Sequence, residues 1–329
     1  MSVSRQNDYS SLRILLVGFG SIGKRHAEVL LGIGAKNIAC SDNSEICRQQ
    51  FREFLPEAPL YSDYETALTE YRPDAVFICT PTKLHVPMAK QALEHNANVF
   101  IEKPLCYSTV GALDLDRLAK EKGKQVMVGF CFRYHDALKK AKGILDSGKI
   151  GRLISIRALM GEPFYMIHPE YMDMYYSKYS GTFELVHDLD LAIWFAGKNI
   201  KRVEGIYGSF SEMGMNSPDT AEMLLEFEDR IVANVHLDFF QYPRRRTMDL
   251  IGWDGVIQIE FASWDEAQIR YYTKETKKWM TIDFKTQRND MFVAEDSEFL
   301  DCVISGEKVS IDVLEGLKAS TAIESIYKI

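Results

Sequence analysis

The chain has 329 residues, of which 46% are hydrophobic and 26% charged, with a formal net charge of −8. That is the composition of an ordinary globular protein, and the length points to two domains rather than one core. The acidic balance argues against a nucleic-acid partner, and the one basic run, Arg244-Arg245-Arg246, reads as solvated surface.

In chain order, the apolar run Arg13 to Val17 predicts a buried strand that leads into Gly18-Phe19-Gly20-Ser21-Ile22-Gly23. A helix-forming segment, Lys24 to Leu31, follows, and a second β-like stretch, Asn37 to Cys40, ends at Asp42. Each part has its own use in binding a dinucleotide. Gly18 permits a tight turn, Gly20 lets the backbone approach a pyrophosphate, and Gly23 lets helix and strand pack closely. The helix N-terminus offers unpaired N–H groups to the phosphates, and Asp42 can accept hydrogen bonds from the ribose hydroxyls. Asp42 would repel a 2′-phosphate and no arginine follows it at once, so NAD is favoured over NADP.

Val76 to Thr80, Val99 to Ile101 and Val126 to Gly129 predict further strands, alternating with helices over Pro87 to Glu94 and Ser108 to Lys122. Such alternation implies a doubly wound parallel sheet, a Rossmann domain over residues 1–130. After Gly151 the period changes to 2, over Leu153–Leu159, Arg202–Ser209, Ala221–Phe227, Val232–Phe240, Thr247–Gly252 and Val256–Phe261. The turns Glu228-Asp229-Arg230 and Trp253-Asp254-Gly255 join two of the pairs as hairpins. Residues 131–329 are therefore expected to form an α+β domain with a large, mostly antiparallel open sheet, for substrate binding and oligomerisation. A helix over Leu185–Phe195 interrupts the strands. Two closing helices, Asp290–Ser305 and Val313–Tyr327, are expected to pack back on the first domain. One sheet face has no helix to cover it; Leu224, Val235 and Leu237 lie on its strands, with the face each takes left open, and an uncovered apolar face predicts a homodimer or homotetramer.

The first eleven residues lack the apolar core of a signal peptide, and no apolar run reaches the ~20 residues of a membrane span. Six scattered cysteines without CxxC spacing read as reduced thiols, and no compact metal-ligand set is present. The expectation is a cytoplasmic protein with no membrane partner and no metal.

Three clusters could do chemistry. In open α/β sheets the carboxyl ends of the strands face the ligand crevice, which places Thr80, Pro81, His85, Glu102 and Lys103 beside the nicotinamide half of the cofactor. A lysine held there can stabilise alkoxide character on a reacting oxygen. In the second cluster, Gly181 to Asp190, helical spacing would put Glu184, His187, Asp188 and Leu191 on one face, which suits His187 as a general base. A core histidine bonded to a nearby acid is the alternative. In the third, Pro163 to Tyr179, the residues Tyr165, His168 and Lys178 suit a polyhydroxy substrate, although a packing loop or subunit contact explains the segment nearly as well.

On GFGSIGKRH (Gly18–His26), TPTKLHVPMAKQAL with VFIEKPL (Thr80–Leu105) and SGTFELVHDLD (Ser180–Asp190), the whole chain resembles the Gfo/Idh/MocA oxidoreductase family. The resemblance implies that Lys103 and His187 are the catalytic pair and that His85 lies near the cofactor. It also implies that Arg133, in GFCFRY, sits at the active-site mouth, and that Glu184 or Asp190 orients the histidine. Ser180-Gly181-Thr182 stands where many relatives carry three glycines, and Phe183 where many carry an aspartate. The implied activity is NAD-dependent hydride transfer from a secondary alcohol of a sugar, sugar derivative or cyclitol. Reduction of a keto-sugar or imine, and a non-catalytic NAD-binding regulator, are the alternatives.

Overall fold

The structure, a computed structural model, describes residues 8–167 and 180–327. These divide into two compact units: one runs to Phe130 and takes in Phe292–Leu317, the other holds Cys131–Met291 and the chain from Lys318.

The first unit alternates strand and helix: β1 (Arg13–Val17), α1 (Ser21–Gly32), β2 (Asn37–Ser41), α2 (Glu45–Phe54), β3 (Leu60–Tyr61), α3 (Tyr64–Tyr71), β4 (Ala75–Ile78), α4 (His85–Glu94), β5 (Asn98–Glu102), α5 (Ala112–Lys122) and β6 (Val126–Gly129). All strand pairs are parallel, in the order β3-β2-β1-β4-β5-β6. The central strands are apolar at nearly every position because helices cover both faces of the sheet: Ile14, Leu15, Leu16, Val76, Phe77, Phe100 and Ile101 are fully buried. Strand order reverses between β1 and β4, so a crevice opens where these two strands end.

The second unit holds α6 (Asp136–Asp146), β7 (Leu153–Gly161), α7 (Phe164–Ile167), α8 (His187–Ala196), β8 (Ile200–Gly208), β9 (Thr220–Phe227), β10 (Ile231–Asp238), β11 (Arg245–Gly252), β12 (Gly255–Glu260), β13 (Glu266–Thr273) and β14 (Trp279–Lys285). The sheet order is β14-β13-β12-β11-β7-β10-β9-β8, antiparallel throughout except for the parallel pair β7–β10. Two strands, β13 and β14, lie outside the predicted set. Strand β14 is an edge with largely exposed side chains, so it lacks the buried alternation that marks a strand in sequence.

Two helices close the chain, α9 (Asp290–Ser305) and α10 (Val313–Tyr327). From Phe292 onward α9 belongs to the first unit, where Phe299 packs edge-on against Phe77 and Phe100. The end of α10 belongs to the second unit, where Tyr327 packs against Phe183 and Tyr207.

The open sheet face corrects one expectation. Val235 and Leu237 are fully buried on the face that α8 covers, and only Leu224 points out, 57% exposed, together with Ile206 and Val232. Strand alternation puts Ile231, Ala233, Val235 and Leu237 on one side and Val232, Asn234 and His236 on the other. The outward face is mixed rather than apolar, with a groove lined by Arg245, Thr247, Asp249, Gln258, Glu260 and Arg270.

Candidate active site

The glycine turn closes on itself. Gly18 has φ +90°, and a Cβ there would sit 2.8 Å from the Cys79 carbonyl oxygen at the end of β4; a Cβ on Gly23 would sit 2.0 Å from the Gly18 oxygen. At Gly20 a Cβ would meet nothing within 4 Å. The outer glycines are thus required by the protein's own packing. Gly20 leaves the turn's outer side clear, the form of cradle that a pyrophosphate needs. Phe19 N–H donates to Asp42 Oδ2 and Ser44 N–H to Oδ1, each at 2.8 Å, which fixes the Asp42 carboxylate at the end of β2. Ser21 and Ile22 open α1, whose first N–H groups have no acceptor within the helix. Arg48 donates to the Asp42 carbonyl oxygen and pairs with Glu45. These residues fit NAD.

The ends of β4 and β5 meet in one place. The His85 ring nitrogens lie 2.8 Å from the Thr80 carbonyl oxygen and 2.9 Å from that of Pro104, so this buried histidine ties together the turns after the two strands. Pro81 is exposed. The Lys103–Pro104 peptide is cis, and Lys103 is half-buried. Glu102 is buried; its carboxylate accepts the Lys103 N–H at 3.0 Å and meets the His26 ring at 3.0 Å.

In the second unit, residues Gly181–Leu185 form a tight 3₁₀ turn and α8 begins only at His187. The predicted single helical face through Glu184, His187 and Leu191 is therefore broken. Gly181 forces this: it has φ +68°, and a Cβ there would lie 2.2 Å from the Pro218 oxygen. Phe183 is a core residue against Tyr207 and Tyr327.

The two aspartates after His187 are buried, and each is gripped by an arginine. Arg246 Nε and Nη2 donate to the two Asp188 oxygens at 3.0 and 2.8 Å. Arg133 Nε and Nη2 donate likewise to Asp190 at 2.9 and 2.7 Å. Two bidentate pairs thus hold the first turn of α8, where negative charge also suits the helix dipole. Burial pushes the Asp188 carboxyl above its usual range, although Arg246 pulls it down. Phe132 sits at the centre of the group: its ring centroid is 4.9 Å from that of His187, and the Arg246 guanidinium lies 3.7 Å from its centre. Nearby, burial and then Arg246 push His135 down to about 4, which keeps it neutral.

One expectation changes here. Arg246 is 3% exposed and Arg244 pairs with Glu162, so the basic run is not solvated; only Arg245 points out. Strand alternation at β11 turns Arg246 inward, and Arg244 just before the strand is drawn in by Glu162. Arg133 holds Asp190 through Nε and Nη2. Of the third cluster, Tyr165 is 46% exposed on α7, anchored where Phe164 stacks on Phe239; His168 and Lys178 lie outside the described residues. The sequence reading missed Arg246, Phe132 and Asp188 as a group, since 58 residues separate Arg246 from Asp188.

A glycine turn at a strand-order reversal, a fixed acid after β2 and a lysine after β5 define a dinucleotide-dependent oxidoreductase. Comparison with known proteins agrees. Residues 12–130 match the oxidoreductase family with an NAD-binding Rossmann fold, and residues 138–258 match the GFO/IDH/MocA C-terminal domain. The chain belongs to the Gfo/Idh/MocA oxidoreductase family and uses NAD. It is 29% identical over 252 residues to the uncharacterized oxidoreductase YrbE of Bacillus subtilis, covering 73% of this chain and 71% of that protein. It is 26% identical to the scyllo-inositol 2-dehydrogenase (NAD(+)) of B. subtilis, over 96% of this chain and 94% of that one. Among solved structures, a putative NADPH-dependent oxidoreductase from Desulfitobacterium hafniense superposes with TM-score 0.86 at 19% identity, over 97% and 96% of the two chains.

Proposed function

We propose that this oxidoreductase is a cytoplasmic NAD-dependent dehydrogenase acting on a secondary alcohol of a sugar, sugar derivative or cyclitol. One observation carries the reading: Lys103 stands at the carboxyl end of β5, on the sheet whose switch point bears the glycine turn. The likeness to a scyllo-inositol dehydrogenase over nearly the full chain supports the substrate class. The cytoplasmic location rests on six cysteines that lack paired spacing.

When bound, NAD supplies the hydride acceptor. The turn Gly18–Gly23 and the N-terminus of α1 hold the pyrophosphate, and Asp42 takes the ribose hydroxyls. Thr80, Pro81 and His85 shape the nicotinamide end, with Glu102 backing the lysine. The Lys103 ammonium donates to the reacting oxygen and stabilises its alkoxide character. His187 takes the hydroxyl proton through a ring nitrogen, held in place by the paired aspartates that follow it. Arg133, Tyr165, His168, Lys178 and Glu184 contribute polar contacts to the substrate, and Arg133 also holds α8 through Asp190.

The test is NADH formation from NAD across cyclitols, aldoses, amino sugars and sugar nucleotides. Turnover is expected on a polyhydroxy substrate. NADH binding with silence across the panel would instead favour reduction of a keto-sugar or imine, or a regulatory role.

Ile206, Leu224 and Val232 on the open face support self-association as a homodimer or homotetramer. Light scattering should give two or four times the chain mass, and Leu224→Glu should shift it downward. A monomer at micromolar concentration would reject the assignment.

A further inference from the structure

We propose that His26 and Asp296 are positioning residues for Lys103, acting through Glu102. The proposal rests on the reading that Lys103 is the catalytic lysine. Its geometry is a buried chain across three elements. Asp296 on α9 meets His26 Nδ1 with both carboxylate oxygens at 3.0 Å. On α1, His26 Nε2 meets Glu102 Oε1 at 3.0 Å. At the end of β5, Glu102 Oε2 accepts the backbone N–H of Lys103 at 3.0 Å. The chain ends on the lysine's own main chain.

Nothing in this chain has room to move. His26 is 0% exposed, and the rings of Phe77, Phe100 and Phe292 pack around it at 5.5, 5.1 and 5.6 Å between centroids. With a carboxylate on each ring nitrogen, both nitrogens must donate, so the imidazole is held as the cation. A buried ionic network of this kind is no better for stability than apolar packing of the same volume. What it adds is direction: a charged donor on one side of Glu102 fixes which oxygen remains for the Lys103 amide.

The charged and titratable groups around His26 come from three elements. Asp296 and Glu295 come from α9, Glu102 and Lys103 from the end of β5, and Cys79 from the end of β4. Both oxygens of Glu295 are buried without a hydrogen-bond partner among the described residues, and burial holds that carboxyl well above its usual range. Burial likewise keeps the Cys79 thiol neutral. His26 with the Asp296 and Glu102 carboxylates is therefore the charged core; burial raises the Asp296 carboxyl while His26 pulls it down, and His26 holds Glu102 low. Burial would lower His26, but Asp296 and then Glu102 raise it to about 10. The folded state thus binds a proton that the unfolded chain loses above about 6.5. That contribution to stability is complete below about 6.5 and is lost as pH rises through about 10.

Asp296→Asn keeps the shape and removes the charge that does most to hold His26 protonated. Two readouts test the proposal. Without substrate, hydrogen–deuterium exchange in the peptide carrying the Lys103 amide should quicken by about tenfold, the size of a lost charge-assisted hydrogen bond. With substrate, kcat should gain an ionisation between pH 6.5 and 9 that the wild type lacks. It should fall at least about fivefold across that range, with NADH affinity within about threefold, because the bonds of the glycine turn do not involve His26. If the variant does not fold, His26→Gln serves for the exchange measurement. Wild-type exchange at Lys103 together with an unchanged kcat profile would overturn the proposal. Lys103→Met separates the two readings. If it turns over normally, the catalytic reading fails while exchange still decides the positioning. If it is inactive and Asp296→Asn matches wild type in both readouts, the positioning fails alone.

Discussion

With Lys103 replaced by methionine, kcat is expected to fall by about 10²–10³-fold, the usual cost of removing one preorganised donor from a developing alkoxide. Methionine keeps most of the side-chain length and apolar volume, so the turn after β5 has no steric reason to move. The Lys103 N–H to Glu102 bond uses the backbone and survives the change. NADH affinity should therefore stay within about threefold. Steady-state kinetics on the substrate found in the panel, beside an NADH fluorescence titration, measures both. Turnover within a few-fold of wild type would remove Lys103 from the chemistry.

The second large effect concerns stability. Arg246→Ala leaves the Asp188 carboxylate fully buried without its bidentate partner and strips the cation from the Phe132 ring. Breaking a buried pair from one side costs about 3–5 kcal/mol, since the remaining charge is left unpaired in a low-dielectric interior. In a chain of this size the thermal midpoint should drop by about 10 °C. Arg245→Ala, one residue away but exposed on the open face, should change stability by no more than about 0.5 kcal/mol. The deficit also has a sign in pH. Burial already raises the Asp188 carboxyl and only Arg246 opposes it strongly, so in the variant it rises further. A raised carboxyl contributes at low pH and loses that contribution as pH climbs, so the deficit should shrink towards pH 5. Thermal melts of both variants at pH 5 and pH 8 check this. Equal shifts for Arg245→Ala and Arg246→Ala would show that the pair does not hold α8.

Much of this was legible in the sequence. The roles of Gly18 and Gly23 depend on atoms a few residues away or at a neighbouring strand end, so spacing alone predicts them. Long apolar runs at β1, β4 and β5 follow from burial on both faces, and the hairpins β9–β10 and β11–β12 from period-2 alternation with short turns. Lys103 and His187 stand in recognisable contexts for the same local reason.

Alternation says which residues share a face but not what lies opposite it. That is why the face taken by each of Leu224, Val235 and Leu237 stayed open, and why three consecutive arginines read as surface when two of them turn inward. The same limit hid Phe183 as a core residue, because only the rings of Tyr207 and Tyr327 explain it. The ionic pairs were least visible of all. Arg133 and Asp190 are 57 residues apart, and His26 and Asp296 are 270 apart. The sequence by itself determined the strand and helix periods and the glycine turn. Only the tertiary structure decided which charges meet, because a buried charge is tolerable only beside its partner, and that partner arrives when distant elements pack.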